Sequence, residues 1–193
     1  MLFYTIFVVM ILLVDNNDSF TYNIVDLLRG ICREELCVKN SRSMSAYDAE
    51  EYSHIILSPG PGLPGEFPVM EQILELYSRS RSILGICLGH QAICLYYGGS
   101  LMNLPQVAHG LESMINCDTS SVLFDGVGQM VVGRYHSWAA DRVPEQLRVS
   151  ARDGEGVVMA VEHIELPIFG VQFHPESYMT KDGITIFRNF LNS

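Results

Sequence analysis

The chain has 193 residues, 48% hydrophobic and 18% charged, which suits one domain with a sizeable core and excludes a disordered segment. Acidic residues outnumber basic ones 22 to 12, and no stretch concentrates lysine and arginine, so nucleic-acid binding lacks its electrostatic drive. Five cysteines with no CxxC spacing argue against a disulfide framework or a zinc knuckle and suit reduced thiols in a cytoplasm.

The first fourteen residues, MLFYTIFVVMILLV, are uncharged but fall short of the ~20 residues a membrane helix needs. They also lack the basic region and cleavage site of a signal peptide. Their β-branched and aromatic content, ending at Asp15, predicts a buried strand. Met10 can serve as a start by itself. Residues 1–9 are therefore read as an extension of the first strand, and 10–193 as the domain.

Next, DSFTYNIVDLLRG predicts a helix capped by Asp18 or Ser19, with Phe20, Ile24, Leu27 and Leu28 as its apolar stripe and Gly30 as its stop. ELCVKN reads as a short strand, and HIILSPGPGLPGE as a buried strand entering a Gly/Pro loop. FPVMEQILELYSRS has helical spacing, SILGIC is a strand, and GHQAICLYYGG is a helix closed by Gly98 and Gly99. This alternation predicts an α/β fold: an open, mostly parallel sheet in one domain, with helices on both faces. Beyond residue 100, SMINC, QMVVGRYHS, LRVSARD, VVMAVEH and IFGVQFHPE predict short strands, partly antiparallel, before a last helix in KDGITIFRNFLNS.

Three strand ends carry candidate chemistry. GICLG places Cys87 between a strand and a helix, with Gly85 and Gly89 allowing close backbone approach, as in a nucleophile elbow. The positive end of the following helix favours a thiolate and offers an oxyanion donor. The pattern also suits a structural cysteine, the role expected of Cys32, Cys37, Cys94 and Cys117. FGVQFHPES puts His174 just past another strand, with Glu176 two residues on. Nucleophile, proton carrier and orienting carboxylate would then meet beyond the strand ends of an open sheet. SPGPGLPG exposes backbone N–H groups as an anion-stabilising loop does, but no G-K-[ST] follows, so it is not a phosphate loop. His54 and His90 read as structural, and His136 as a neighbour of the site.

LLVDNNDSFTYN, LSPGPGLPGE, GICLGHQ, RYHS and GVQFHPES, in this order, resemble the class I (triad) glutamine amidotransferases from Met10 to the C-terminus. DSFTYN and the serine after HPE make the chain similar to the chorismate branch, the small glutaminase subunits of anthranilate and aminodeoxychorismate synthases. The resemblance implies a class I glutamine amidotransferase fold, which is flavodoxin-like. It implies glutamine hydrolysis through a Cys87 γ-glutamyl thioester, with His174 carrying protons and Glu176 orienting it. It further implies an oxyanion held by Gly60 and Leu88 N–H groups, with Gly62, Gln91, Ser137 and Trp138 around the substrate. A larger chorismate-binding subunit would receive the ammonia, for tryptophan or folate biosynthesis. No metal, organic cofactor, nucleic acid or membrane enters this scheme.

Two positions depart from the family. Trp138 replaces a leucine, where the implied contact is a backbone one, and Leu111 stands where H-G-K-x-S has its lysine. The segment between Ser137 and the HPE strand is also short. A stand-alone Cys-His-Glu hydrolase, such as a γ-glutamyl hydrolase, shares the elbow but does not account for DSFTYN or HPES. An inactive flavodoxin-like binding subunit would lack Cys87, His174 or Glu176, all of which are present.

Overall fold

The computed structural model describes residues 10–32 and 35–193; the expected extension at residues 1–9 lies outside them. The first strand, β1 (Met10–Asp15), is apolar up to its last residue because both its faces are covered. Ile11 and Leu13 pack into one core layer, Leu12 and Val14 into the other. The same division recurs on β3 (His54–Leu57), where Ile56 faces one layer and Ile55 and Leu57 the other.

Helices α1 (Thr21–Ile31) and α4 (Gly183–Leu191) supply Ile24, Leu28, Phe187 and Phe190 to the first layer. Helices α2 (Pro68–Tyr77) and α3 (Leu88–Tyr96) supply Ile73, Leu74, Ile93 and Cys94 to the second. With β2 (Glu35–Asn40), β4 (Ser82–Ile86) and β11 (Ile168–Val171), strands β1 and β3 form a parallel array in the order β2-β1-β3-β4-β11.

Beyond β11 the sheet turns antiparallel through β10 (Val158–His163), β9 (Leu147–Asp153), β6 (Leu111–Cys117) and β7 (Gln129–Arg134). The expected α/β architecture, parallel with an antiparallel elaboration, is thus one nine-stranded sheet. A separate antiparallel pair, β5 (Ser100–Asn103) with β8 (Trp138–Arg142), was not legible. These strands are only four and five residues long, too short for a period-2 pattern to mark them.

Helix α1 corrects three expectations. It starts at Thr21, after a turn in which Asp18 Oδ1 accepts from the Phe20 N–H at 2.8 Å, so neither Asp18 nor Ser19 is the N-cap. It runs through Gly30 to Ile31. Phe20 leaves the apolar stripe and meets the rings of Tyr135 and His174 instead. Among the described residues no helix is long and apolar enough to cross a membrane.

Candidate active site

The strand order sets the site. Strands β3, β4 and β11 are parallel neighbours, so the loops after them open at the same edge of the sheet. These loops carry Gly60, Cys87 and His174.

Cys87 is the N-cap of α3, with φ 51° and ψ −95°, a left-handed conformation that costs a non-glycine residue about 1–3 kcal/mol. The surrounding contacts impose it. The Cys87 N–H donates to the Val171 carbonyl of β11 at 2.8 Å, and its carbonyl accepts from the Gln91 N–H at 3.1 Å. The flanking glycines serve close approach: a Cβ on Gly85 would overlap the Gly89 backbone, and one on Gly89 would overlap the Leu57 carbonyl of β3. A buried strand, a strained residue and the start of a helix thus hold the sulfur at the head of α3.

His174 is tied down from the far side of the sheet. Its N–H donates to the Gly133 carbonyl at 3.1 Å, and its carbonyl accepts from the Thr180 hydroxyl at 2.7 Å. Its ring lies 5.0 Å from both the Phe20 and Tyr135 rings. Nδ1 pairs with Glu176 Oε1 at 2.7 Å, while Nε2, also buried, makes no hydrogen bond within the described chain. Burial pushes the imidazole pKa down, but the Glu176 carboxylate and the neighbouring Cys87 sulfur push harder the other way, leaving it raised well above 6.5. The ring is therefore suited to take up a proton beside the sulfur and hold it.

A pocket of about 170 Å³ adjoins the sulfur, lined by Gly60, Pro61, Gly62, Cys87, Leu88, Gln91, Tyr135, His136, Ser137 and Trp138. All the residues expected to contact substrate or oxyanion line this space. As the first residue of α3, Leu88 has no intrahelical acceptor for its N–H. Gly60 is held so close to Leu88 and Asn16 that a side chain there would displace both. Gly62, at φ +72°, turns the loop where a Cβ would overlap the Glu66 carboxylate. Gln91 Nε2 donates to the Trp138 carbonyl at 3.0 Å, inside the pocket wall. Leu111, half-exposed at the start of β6, lies outside this pocket.

Several participants escaped the sequence reading. Asn16 joins β1 to the Gly60 loop: its N–H donates to Ser58 Oγ and its Nδ2 to the Ser58 carbonyl, both at 2.9 Å. Gln172, fully buried, donates from Nε2 toward Cys87 Sγ at 3.6 Å and accepts from Gln91 at 3.3 Å. Its position inside GVQFHPE, one polar residue in an apolar strand end, was the available signal. Tyr135 hydrogen-bonds Ser177 at 3.1 Å while its ring meets His174, which gives the serine after HPE a structural place. His90 is fully buried on α3 beside Cys94, away from the pocket, as a structural residue would be.

The class-I glutamine amidotransferase family model matches residues 12–193. A Haemophilus influenzae relative, with a name in the anthranilate synthase component II group, is 44% identical over 184 residues, spanning 94% of this chain and 95% of its own. The aminodeoxychorismate/anthranilate synthase component 2 of Bacillus subtilis is 40% identical over 189 residues, 95% of this chain and 96% of its own. A Thermoplasma acidophilum crystal structure, described as that of a GMP synthase subunit, superposes with a TM-score of 0.87 over 96% of this chain and 93% of that one. At 24% identity it speaks for the fold alone. With the family model running from the first strand to the last residue, the chain belongs to the class I glutamine amidotransferases.

Proposed function

We propose that this protein is the glutaminase subunit of a chorismate-using synthase and releases ammonia from glutamine for a larger partner subunit. The observation that carries the chemistry is the meeting of three strand ends: a strained Cys87, the His174–Glu176 pair at 2.7 Å, and a pocket edged by Gly60 and Leu88. In this reading the Cys87 thiol gives its proton to His174 Nε2, and the thiolate attacks the side-chain carboxamide carbon of glutamine. The oxyanion of the tetrahedral intermediate takes hydrogen bonds from the Gly60 and Leu88 N–H groups. His174 passes its proton to the departing nitrogen, so ammonia leaves and a γ-glutamyl thioester remains. Water, deprotonated by His174, attacks the thioester; glutamate leaves and the thiol is restored. Glu176 holds the ring with Nδ1 as donor and balances its positive charge throughout.

Both hydrogens of the Gln91 amide are engaged, by Trp138 and Gln172, which leaves its oxygen to accept from the substrate's ammonium. The relatives named as component 2 of a synthase support a second component as the destination of the ammonia. The test is Cys87→Ala in complex with the synthase subunit. Glutamine-dependent product formation is expected to vanish while formation from ammonium salts persists. Glutamine hydrolysis surviving in the variant would remove Cys87 as nucleophile. Full activity on γ-glutamyl peptides without a partner would favour a stand-alone hydrolase.

A further inference from the structure

Arg134 and Asp153 lie outside the glutamine pocket, yet a continuous chain of hydrogen bonds joins them to it. Asp153, at the end of β9, is anchored first. Its Oδ1 accepts from the Glu155 and Val157 N–H groups at 2.9 Å each, and its Oδ2 pairs with Arg134 Nη1 at 2.6 Å. Both side chains are buried, 9% and 3% exposed, which makes this guanidinium a fixed rather than a mobile donor. Its Nε–H then donates to His136 Nε2 at 3.1 Å.

That bond decides the histidine's tautomer. An arginine only donates, so His136 Nε2 must accept and the ring proton must sit on Nδ1. Nδ1 lies 2.9 Å from the Trp138 carbonyl and donates to it. Burial is the main reason the ring stays neutral, its pKa pushed down to about 4, with the Arg134 charge acting in the same sense. In the opposite tautomer a nitrogen lone pair would face the carbonyl oxygen at 2.9 Å, and the contact would become repulsive. The same carbonyl receives Gln91 Nε2, whose amide reaches on to Gln172 and so to Cys87.

We propose that Arg134 and Asp153 are positioning residues for glutamine: they fix His136 as the Nδ1–H tautomer and, through the Trp138 carbonyl, orient Gln91 so that its oxygen faces the substrate ammonium. The proposal rests on the glutaminase reading. The ion pair lines a separate cavity of about 610 Å³ with Leu104, Ala108 and Leu111, so it can be altered without replacing any residue that lines the pocket.

The test uses the full-length chain and two alkylating agents. A diazoketone analogue of glutamine labels Cys87 only after being recognised, whereas iodoacetamide needs no amino-acid recognition. In His136→Leu, the half-saturating concentration of the analogue and the KM for glutamine should rise about 10- to 100-fold, the loss of one to two decades of affinity. In the ion-pair double variant Arg134→Met with Asp153→Leu, whose positions line no part of the pocket, iodoacetamide labelling should stay within about twofold of wild type. His136→Asn, which keeps a donor near the Nδ1 position, should recover to within about threefold. Replacing the ion pair by an apolar one, Arg134→Met with Asp153→Leu, leaves no buried charge unpaired and should weaken analogue recognition as His136→Leu does.

Wild-type half-saturation in His136→Leu, or in a folded ion-pair double variant, overturns the proposal. So does a His136→Asn as impaired as His136→Leu, since volume rather than the donor would then matter. Analogue labelling that persists in Cys87→Ser would instead sink the glutaminase reading, which keeps the two failures apart.

Discussion

At the head of α3, Cys87 borders a pocket and neighbours His174, whose ring is paired with Glu176. Two turns further along the same helix, Cys94 Sγ lies 3.9 Å from His90 Nε2, and both residues are fully buried. The chain thus holds two cysteine–histidine neighbourhoods with opposite electrostatics. Around His90, burial without an opposing carboxylate drives the imidazole pKa down to about 3, while burial drives the Cys94 thiol up to about 12. Both groups stay neutral and no proton moves. Around His174 burial is equally deep, yet Glu176 and the Cys87 sulfur overcome it. Proximity of a thiol and an imidazole is common to both places; a carboxylate on the ring and a cavity beside the sulfur are what set Cys87 apart.

The strongest way to break this comparison is Glu176→Gln, which makes the His174 neighbourhood resemble that of His90. The glutamine-dependent rate should fall by roughly 10³–10⁴ in kcat, as when the orienting carboxylate of a hydrolase triad is neutralised. The same variant carries a stability signature. The folded-state pKa of His174 is raised, so the ion pair adds stability that is whole below the unfolded value of 6.5 and is lost as pH climbs through the folded value. Thermal melts across that range should lose this dependence in Glu176→Gln, and an unchanged pH profile would count against the pairing.

Next comes Gly89→Ala. Its Cβ would overlap the Leu57 carbonyl, forcing the first turn of α3 off β3. A loss of about 1–3 kcal/mol in denaturant unfolding is expected, together with weaker labelling of Cys87. Wild-type stability would show that the close approach is not required.

His90 gives the acid counterpart of His174. Its folded pKa is lowered to about 3, so the unfolded chain takes up a proton near 6.5 that the folded chain refuses, and stability falls as pH drops between these values. The slope is at most about 1.4 kcal/mol per pH unit for this one group. His90→Met should reduce it, measured by denaturant midpoints at neutral and acid pH; an identical slope would mean that His90 is protonated in the folded state.

The smallest effect belongs to Cys94→Ala, with kcat expected within about twofold and about 1 kcal/mol of stability lost from a small cavity. Rapid alkylation of Cys94 in the native protein would erase the contrast with Cys87.

Much of this arrangement was legible in the residues. The unbroken apolar runs at residues 10–14 in β1 and 55–57 in β3 announced strands covered on both faces, and GICLG and HPES announced an elbow and a paired histidine. Less legible was anything whose partner lies far along the chain. Phe20 looked like one more member of an amphipathic stripe, but the turn at Asp18 starts α1 later and sends the ring toward His174. Strands β5 and β8 pair across 35 or more residues and are too short to show a period.

The sequence by itself determined the alternating core, the glycines flanking Cys87 and the Glu176 two residues from His174, because local sterics and short-range spacing write these directly into the chain. Only the tertiary structure decided that the ends of β3, β4 and β11 face one pocket. Strand order is chosen by packing over the whole sheet, and no local pattern records it. Tertiary structure likewise decided that Cys87 sits beside a charged pair and Cys94 in an apolar layer, since burial and long-range partners, not residue type, set which thiol can react.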